Sequence, residues 1–192
     1  MPLVGVLALQ GDVREHVTML REVGADVVAV KKVEQLGALD GLVMPGGEST
    51  TIARLLTTSG IRAALADQLS AGLHVFGTCA GLILLSSEIL DGRSDQWSFG
   101  SLPVAVRRNG YGRQIASFET TVNVRDVGSV PGVFIRAPKI ETWSDEVEVL
   151  AMHNHGDGDH PVLVRRDNVW GCSFHPELTN DSRVHRLFVQ SL

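Results

Sequence analysis

Three short stretches of this sequence carry residue types that can do chemistry together. In "FGTCAGLILLS", residues 76 to 86, Cys79 stands at the head of an apolar run, with Gly77 and Gly81 at i−2 and i+2. The preceding "GLHVFG" reads as a short buried strand and the following "AGLILLSSEIL" as a helix. A cysteine on such a tight strand-to-helix turn is a presented nucleophile. In "SFHPEL", residues 173 to 178, His175 and Glu177 stand two apart at an expected strand end. Residues i and i+2 of an extended chain project to one face, so Glu177 is placed to steer the His175 imidazole from alongside. Pro176 between them keeps His175 extended. A thiol nucleophile needs a base and a group that orients the base, and this pair offers both. The helix that follows Cys79 adds unpaired N–H groups and a partial positive charge, a setting that favours a thiolate.

The third stretch is "MPGGEST", residues 44 to 50. A Pro-Gly-Gly turn at the carboxyl end of a strand lets backbone N–H groups approach a substrate oxygen, because glycine has no Cβ in the way. The N–H of Gly47 paired with that of Ala80 would make an oxyanion hole for a tetrahedral intermediate. All three stretches follow strands, and in open α/β sheets ligands gather at the strands' carboxyl ends.

The elements that must position these residues alternate in the first half. "LVGVLAL" (3 to 9) is a continuous apolar run, as in a parallel strand buried on both faces. "DVREHVTMLREVG" places Val13, Val17 and Leu20 at helical spacing, with Gly24 in a stop position. "ADVVAV" (25 to 30) and "GLVMPGG" (41 to 47) read as the next two strands. "ESTTIARLLTTSG" reads as a helix with Ser49, Thr50 and Thr51 as candidate N-caps, and "IRAALADQLSAG" as another helix. Beyond about Gly92 the texture becomes β-rich, in "LPVAVRRNGYGRQ", "SFETTVNV", "GVFIRAPKIETW" and "VEVLAMHN". These segments are expected to form an antiparallel or mixed edge of the same sheet. "PVLVRRDNVWGCSFHPEL" reads as a hairpin turning at Asp167-Asn168, and the tail as a helix capped near Asn180 or Asp181. The expected architecture is α/β and flavodoxin-like, one domain over residues 1–192, with a central, mostly parallel sheet flanked by helices.

Composition narrows the function. At 192 residues and 44% hydrophobic, the chain suits one well-cored domain. A formal charge of −5 argues against nucleic acid as a partner. No apolar run approaches the ~20 residues of a membrane helix, and "MPLVGVLALQGD" lacks the charged start of a signal peptide. Two cysteines, Cys79 and Cys172, make no disulfide framework, so a cytoplasmic setting is expected.

Bland readings stand beside the sharp ones. A free cysteine is commonly a buried packing residue; the glycines around Cys79 and the His-Pro-Glu stretch argue against that for Cys79, whereas Cys172 in "VWGCSF" reads as packing. Either Arg107 or Arg108 could be a solvated surface charge. "HNHGDGDH" (153 to 160) holds His153, His155, Asp157, Asp159 and His160, types that suit a divalent metal. Its length and glycines fit an exposed hairpin loop better, and no metal is expected.

Taken together, "PGGES", "GTCAGLILL" and "SFHPEL" resemble the class I (triad) glutamine amidotransferases. Within that group, "GVLALQGDVREH", "RNGYGRQ" (108 to 114), "FIRAP" (134 to 138) and "HPELTND" are most similar to the glutaminase subunits of pyridoxal 5′-phosphate synthases, and the likeness spans nearly the whole chain. The resemblance implies that Cys79 attacks the carboxamide of L-glutamine while His175, oriented by Glu177, moves protons. It implies glutamine contacts at Gly47, Glu48, Ser49, Arg108, Ile135 and Arg136, and places Gln10 near the oxyanion loop. It implies no cofactor. It also implies that the ammonia is received by a partner, a TIM-barrel synthase subunit. The alternatives are a glutaminase of another pathway, a non-catalytic binding module of the same fold, and a cysteine hydrolase acting on other substrates. "ALQGDVREH" and "FIRAP" speak against the first, and the intact Cys79, His175 and Glu177 against the second. The third has no need of a carboxylate-binding Arg136.

Overall fold

The computed structural model describes residues 1–110 and 117–192. The strands are β1 (Leu3–Leu7), β2 (Asp26–Val30), β3 (Gly41–Met44), β4 (His74–Thr78), β5 (Ser86–Ile89), β6 (Leu102–Arg107), β7 (Ser117–Val124), β8 (Gly128–Ile135), β9 (Lys139–Trp143), β10 (Glu148–Asn154), β11 (Asp159–Arg166) and β12 (Val169–Cys172). The helices are α1 (Val13–Glu22), α2 (Ser49–Thr58), α3 (Ile61–Ser70), α4 (Ala80–Leu85) and α5 (Arg183–Val189). The central sheet runs β10-β11-β12-β4-β3-β1-β2. Pairing from β12 across to β2 is parallel, and β10 and β11 join antiparallel at the other edge. This is the flavodoxin-like α/β architecture expected from the alternation of apolar runs and helical patterns.

Period-two alternation splits the core in two. On β3, Leu42 and Met44 face one side with α2, α3 and α4, while Val43 faces the other with α1 and α5. Val75 and Phe76 of β4 divide in the same way. Strands covered on both faces bury their whole length, which is why they read as unbroken apolar runs. Close packing fixes the nucleophile's helix against them. A Cβ at Gly81 would stand 2.2 Å from the Met44 carbonyl oxygen, and one at Gly77 would stand 2.5 Å from the Gly81 carbonyl carbon.

Several elements depart from the sequence reading. The β-rich second half does not all extend the main sheet: β10, β11 and β12 join it, while β5-β6-β9 form a separate three-stranded sheet and β7-β8 a two-stranded one. The helix after Cys79 ends at Leu85, and "SSEI" is β5. The Ser86 hydroxyl donates to Ile83 O at 2.8 Å, and Ser86 turns to ψ 155°, which stops the helix. The cap of α2 is Glu48, whose carboxylate accepts from Thr51 N at 2.8 Å, in place of Ser49, Thr50 or Thr51. The last helix starts after Ser182, with Asp181 accepting from the Arg183 N–H. The hairpin at Asp167-Asn168 forms as expected, with Asp167 at φ 51°.

Gly81→Ala pushes a methyl into the Met44 carbonyl, an overpacking change worth about 1–3 kcal/mol. A melting temperature lower by about 3–10 °C is the expected outcome in thermal unfolding.

Candidate active site

Four neighbouring strands bring the predicted residues to one rim. Gln10 follows β1, the glycine turn follows β3, Cys79 follows β4 and His175 follows β12. Their carboxyl ends line a cavity of about 420 Å³ that includes Gly47, Cys79, Arg108, Ile135, Arg136 and His175. Glu48, Ser49 and Asp12 complete its wall. A cleft of this size at the ends of parallel strands suits a small polar ligand.

Cys79 has φ 49° and ψ −102°, a strained conformation for a residue with a side chain, and is 7% exposed. Its N–H donates to Cys172 O at 2.8 Å, which holds the strained turn on the sheet. Its sulfur lies 4.0 Å from the Ile135 carbonyl oxygen. Cys172 itself is fully buried, its thiol directed at Phe174 O, and burial pushes that thiol up.

His175 Nδ1 donates to Glu177 Oε1 at 2.7 Å, and both side chains are buried. The i, i+2 relation holds, but Pro176–Leu178 is a 3-10 turn that brings Glu177 to Nδ1, not a continued strand. Asp12 Oδ2 stands 3.5 Å from the same Nδ1, a partner the sequence reading did not single out. With Nδ1 engaged by carboxylates, the ring's other nitrogen is left for the Cys79 thiol across the cavity they share. Burial works against a charge on His175, yet Asp12, the Cys79 thiol and Glu177 push its pKa up to about 12. Burial also works against the Glu177 charge, and His16 and His175 together hold its carboxyl well below the usual range. His16 is the second group missed: it is fully buried on α1, with Nε2 3.4 Å from Glu177 Oε1. Among the described residues, Asp12, His175 and Glu177 are the one trio of potential metal ligands with convergent donor atoms. Within the trio His175 and Glu177 share the 2.7 Å hydrogen bond, and Asp12 stands as an ion-pair partner of the ring.

The glycine turn leans on the imidazole. A Cβ at Gly46 would stand 2.3 Å from His175 Cε1, and one at Gly47 would stand 2.5 Å from Gln10 Oε1. Gln10 Oε1 accepts from Glu48 N at 2.9 Å, so Gln10 braces the turn. The Gly46 carbonyl oxygen packs against Gly11, at 1.8 Å from where a Cβ would be. The peptide bonds of the described residues are trans, so the Gly47 N–H of the same plane points away from Gly11. Ser49 is buried with its hydroxyl accepting from Gln96 Nε2 at 3.0 Å. Despite partial burial, hydrogen bonds from Thr50 and Thr51 lower the Glu48 pKa.

The two adjacent arginines part company. Arg107 pairs with Glu141 at 3.0 Å on the surface, whereas Arg108 lines the cavity, its Nη2 donating to Asp91 O at 3.2 Å. Arg136 also lines the cavity, at φ 44°. Residues 111–114 of "RNGYGRQ" lie outside the described residues. "HNHGDGDH" forms the β10–β11 turn, where Asp157 pairs with Lys139 and His153 packs edge-on to His155.

The Nδ1 contacts predict an NMR titration of His175 with a midpoint far above ~6.5. Glu177→Gln should bring that midpoint down toward the ordinary value. Because the Glu177 carboxyl is depressed in the folded state, the stability it contributes is present above ~4.5 and is lost as pH falls. Denaturation of the two proteins should therefore differ at neutral pH and converge on acidification.

Residues 6–192 match the SNO glutamine amidotransferase family. The chain is 52% identical over 189 residues to the pyridoxal 5′-phosphate synthase subunit PdxT of Mycobacteroides abscessus, covering 98% of this chain and 96% of that one. It is 54% identical to the PdxT subunit of Parafrankia sp., covering 98% and 92%. A crystal structure of a glutamine amidotransferase superposes with a TM-score of 0.91 at 48% identity, covering 98% of this chain and 97% of that one. The structure of PurLQS from Thermotoga maritima, 17% identical with a TM-score of 0.62 over 100% and 97% of the two chains, shares the fold. With the match running almost end to end and about half the residues shared, this chain belongs to the SNO glutamine amidotransferase family.

Proposed function

We propose that the chain is the glutaminase subunit of a pyridoxal 5′-phosphate synthase, hydrolysing L-glutamine to L-glutamate and passing the ammonia to a TIM-barrel synthase subunit. The observation that carries the reading is the alignment of Cys79, His175 and Glu177 on adjacent strand ends beside a glycine turn. Family membership and PdxT relatives of about 50% identity along the whole length support the same reading.

The residues at the rim suit each step of that reaction. The Cys79 thiol gives its proton to His175 and its sulfur attacks the carboxamide carbon of glutamine. The oxygen that becomes negative is received by the N–H groups of Gly47 and Ala80, donors of the kind that stabilise a developing oxyanion. The imidazolium returns the proton to the departing nitrogen, so neutral ammonia leaves and a glutamyl thioester remains on Cys79. Water, deprotonated by His175, attacks the thioester, and collapse restores the thiol and releases glutamate. Glu177 keeps Nδ1 protonated, so the other ring nitrogen stays the one that exchanges protons with sulfur and substrate. Arg108 and Arg136 bring the positive charge that suits the α-carboxylate, and Glu48 the negative charge that suits the α-ammonium. Ser49 and the Ile135 carbonyl complete the wall against which the side chain lies.

The test is glutamate release from glutamine, with and without the synthase subunit. Wild type should be stimulated by the partner, and Cys79→Ala should lose at least about 10³-fold in both settings. A Cys79→Ala protein with full activity would overturn the triad. Gly46→Ala, whose methyl displaces the His175 ring, should lose about 10²-fold in kcat while the protein stays folded.

A further inference from the structure

Behind the triad lies a buried polar chain that the proposed chemistry does not use. His16 on α1 and His185 on α5 are both fully buried, although neither touches the cavity. His16 Nδ1 lies 2.9 Å from His185 Nε2, and His16 Nε2 lies 3.1 Å from Thr78 Oγ1 and 3.4 Å from Glu177 Oε1. One imidazole thus bridges the last residue of the nucleophile's strand and the carboxylate that orients the base. Glu177 Oε1 takes both the His175 and the His16 contact, and Oε2 has no hydrogen-bond partner among the described residues.

The network assigns the protons. A bare Nε2 on His16 would set lone pair against carboxylate, so Nε2 carries the hydrogen and donates toward Glu177 and Thr78. The other ring nitrogen, Nδ1, shares its hydrogen bond with His185 Nε2. Burial first, and then the neighbouring His16, hold the His185 pKa down to about 3, so His185 meets His16 as a neutral imidazole. The edge of the Phe76 ring, with centroids 6.0 Å apart, fixes the His185 plane. A buried carboxylate with a single hydrogen bond can swing about its side-chain torsions, whereas a second donor on the same oxygen locks the carboxylate plane.

We propose that His16 is a positioning residue of this glutaminase, its Nε2–H holding the Glu177 carboxylate and the end of the nucleophile's strand in one register while His185 holds its other ring nitrogen. The inference rests on the glutaminase reading. His16 acts only through Glu177: without it Glu177 still pairs with His175 but is no longer tied to Thr78, and the imidazole loses its alignment on the sulfur. Binding of glutamine, which involves the opposite rim, is left intact.

The experiment is steady-state glutamine hydrolysis by the full chain assembled with its synthase subunit, for wild type, His16→Leu and His16→Gln. Leucine fills the space without a donor, and glutamine restores an N–H near the position of Nε2. His16→Leu should lower kcat about 10–100-fold with KM within about twofold, as supporting partners of active groups do. His16→Gln should recover to within about fivefold of wild type. A folded His16→Leu protein with kcat within about twofold of wild type overturns the proposal, as does His16→Gln as impaired as His16→Leu, which would mean packing alone. If His16→Leu does not fold, His16→Gln against His16→Asn decides in its place, since the shorter amide falls short of Glu177. Asparagine must then be at least about tenfold slower, and equal rates overturn the proposal. Alkylation of Cys79 by iodoacetamide, followed by mass spectrometry, reads the same alignment without glutamine. It should slow in the donor-free variant and recover in His16→Gln. A wild type that releases no glutamate would sink the glutaminase reading while leaving the alkylation comparison to decide the role of His16.

Discussion

A carboxylate that is only 3% exposed must be surrounded by donors or it will not stay ionised, and Glu177 sets that requirement for the whole rim. His175 hydrogen-bonds it on one side, and His16 Nε2 lies 3.4 Å away on the other. Each of these imidazoles is held by a different part of the fold: His175 by the end of β12, and His16 by α1 with α5 behind it. The chemistry at Cys79 therefore depends on packing on the face of the sheet that carries α1 and α5. The face with α2, α3 and α4 supplies the other half, because α4 seats the nucleophile's turn and Glu48 starts α2 at the cavity wall. The central sheet separates two cores that each own part of one site.

The glycine turn shows how little room this leaves. Gly46 faces the His175 ring, Gly47 faces Gln10, and Gly46 also presses its carbonyl on Gly11. Three strands meet there at backbone distance, so the turn's conformation is set by contact with its neighbours more than by its own preferences. Glycine is needed at these positions for clearance, and at Gly47 also for its φ of +147°.

Much of this was legible in the chain. The inner parallel strands β1, β3 and β4 are visible because both faces are covered, and Cys79 is visible because a strand, a small-residue turn and a helix adjoin it. The His175–Glu177 pair was legible as a spacing, though the 3-10 turn that makes it was not: Pro176 at the first position of such a turn and a proline keeping its predecessor extended look alike in sequence. The short helix after Cys79 was over-read because "AGLILLSSEIL" has continuous helical propensity, and only the Ser86 hydroxyl bonding back to Ile83 breaks it. The three-stranded sheet was illegible because β5 pairs β6 across the 90–101 segment and β9 joins from more than thirty residues later, which local pattern does not encode. Asp12 and His16 escaped notice for a related reason: each is an ordinary polar residue in and before an amphipathic helix until the last quarter of the chain packs against it.

Strand β12 has a further consequence for the order of events in folding. It lies between β11 and β4 in the middle of the sheet, pairing Val169 with Val75 across almost half the chain. The thiol-bearing turn belongs to an early βα segment, while its base arrives with the hairpin that closes the sheet. Contacts of such sequence separation form late, after the loop-closure entropy has been overcome. During synthesis, then, Cys79 emerges and can pack against β3 while it is still chemically idle. The reactive pair comes into being in the same step that seals the core.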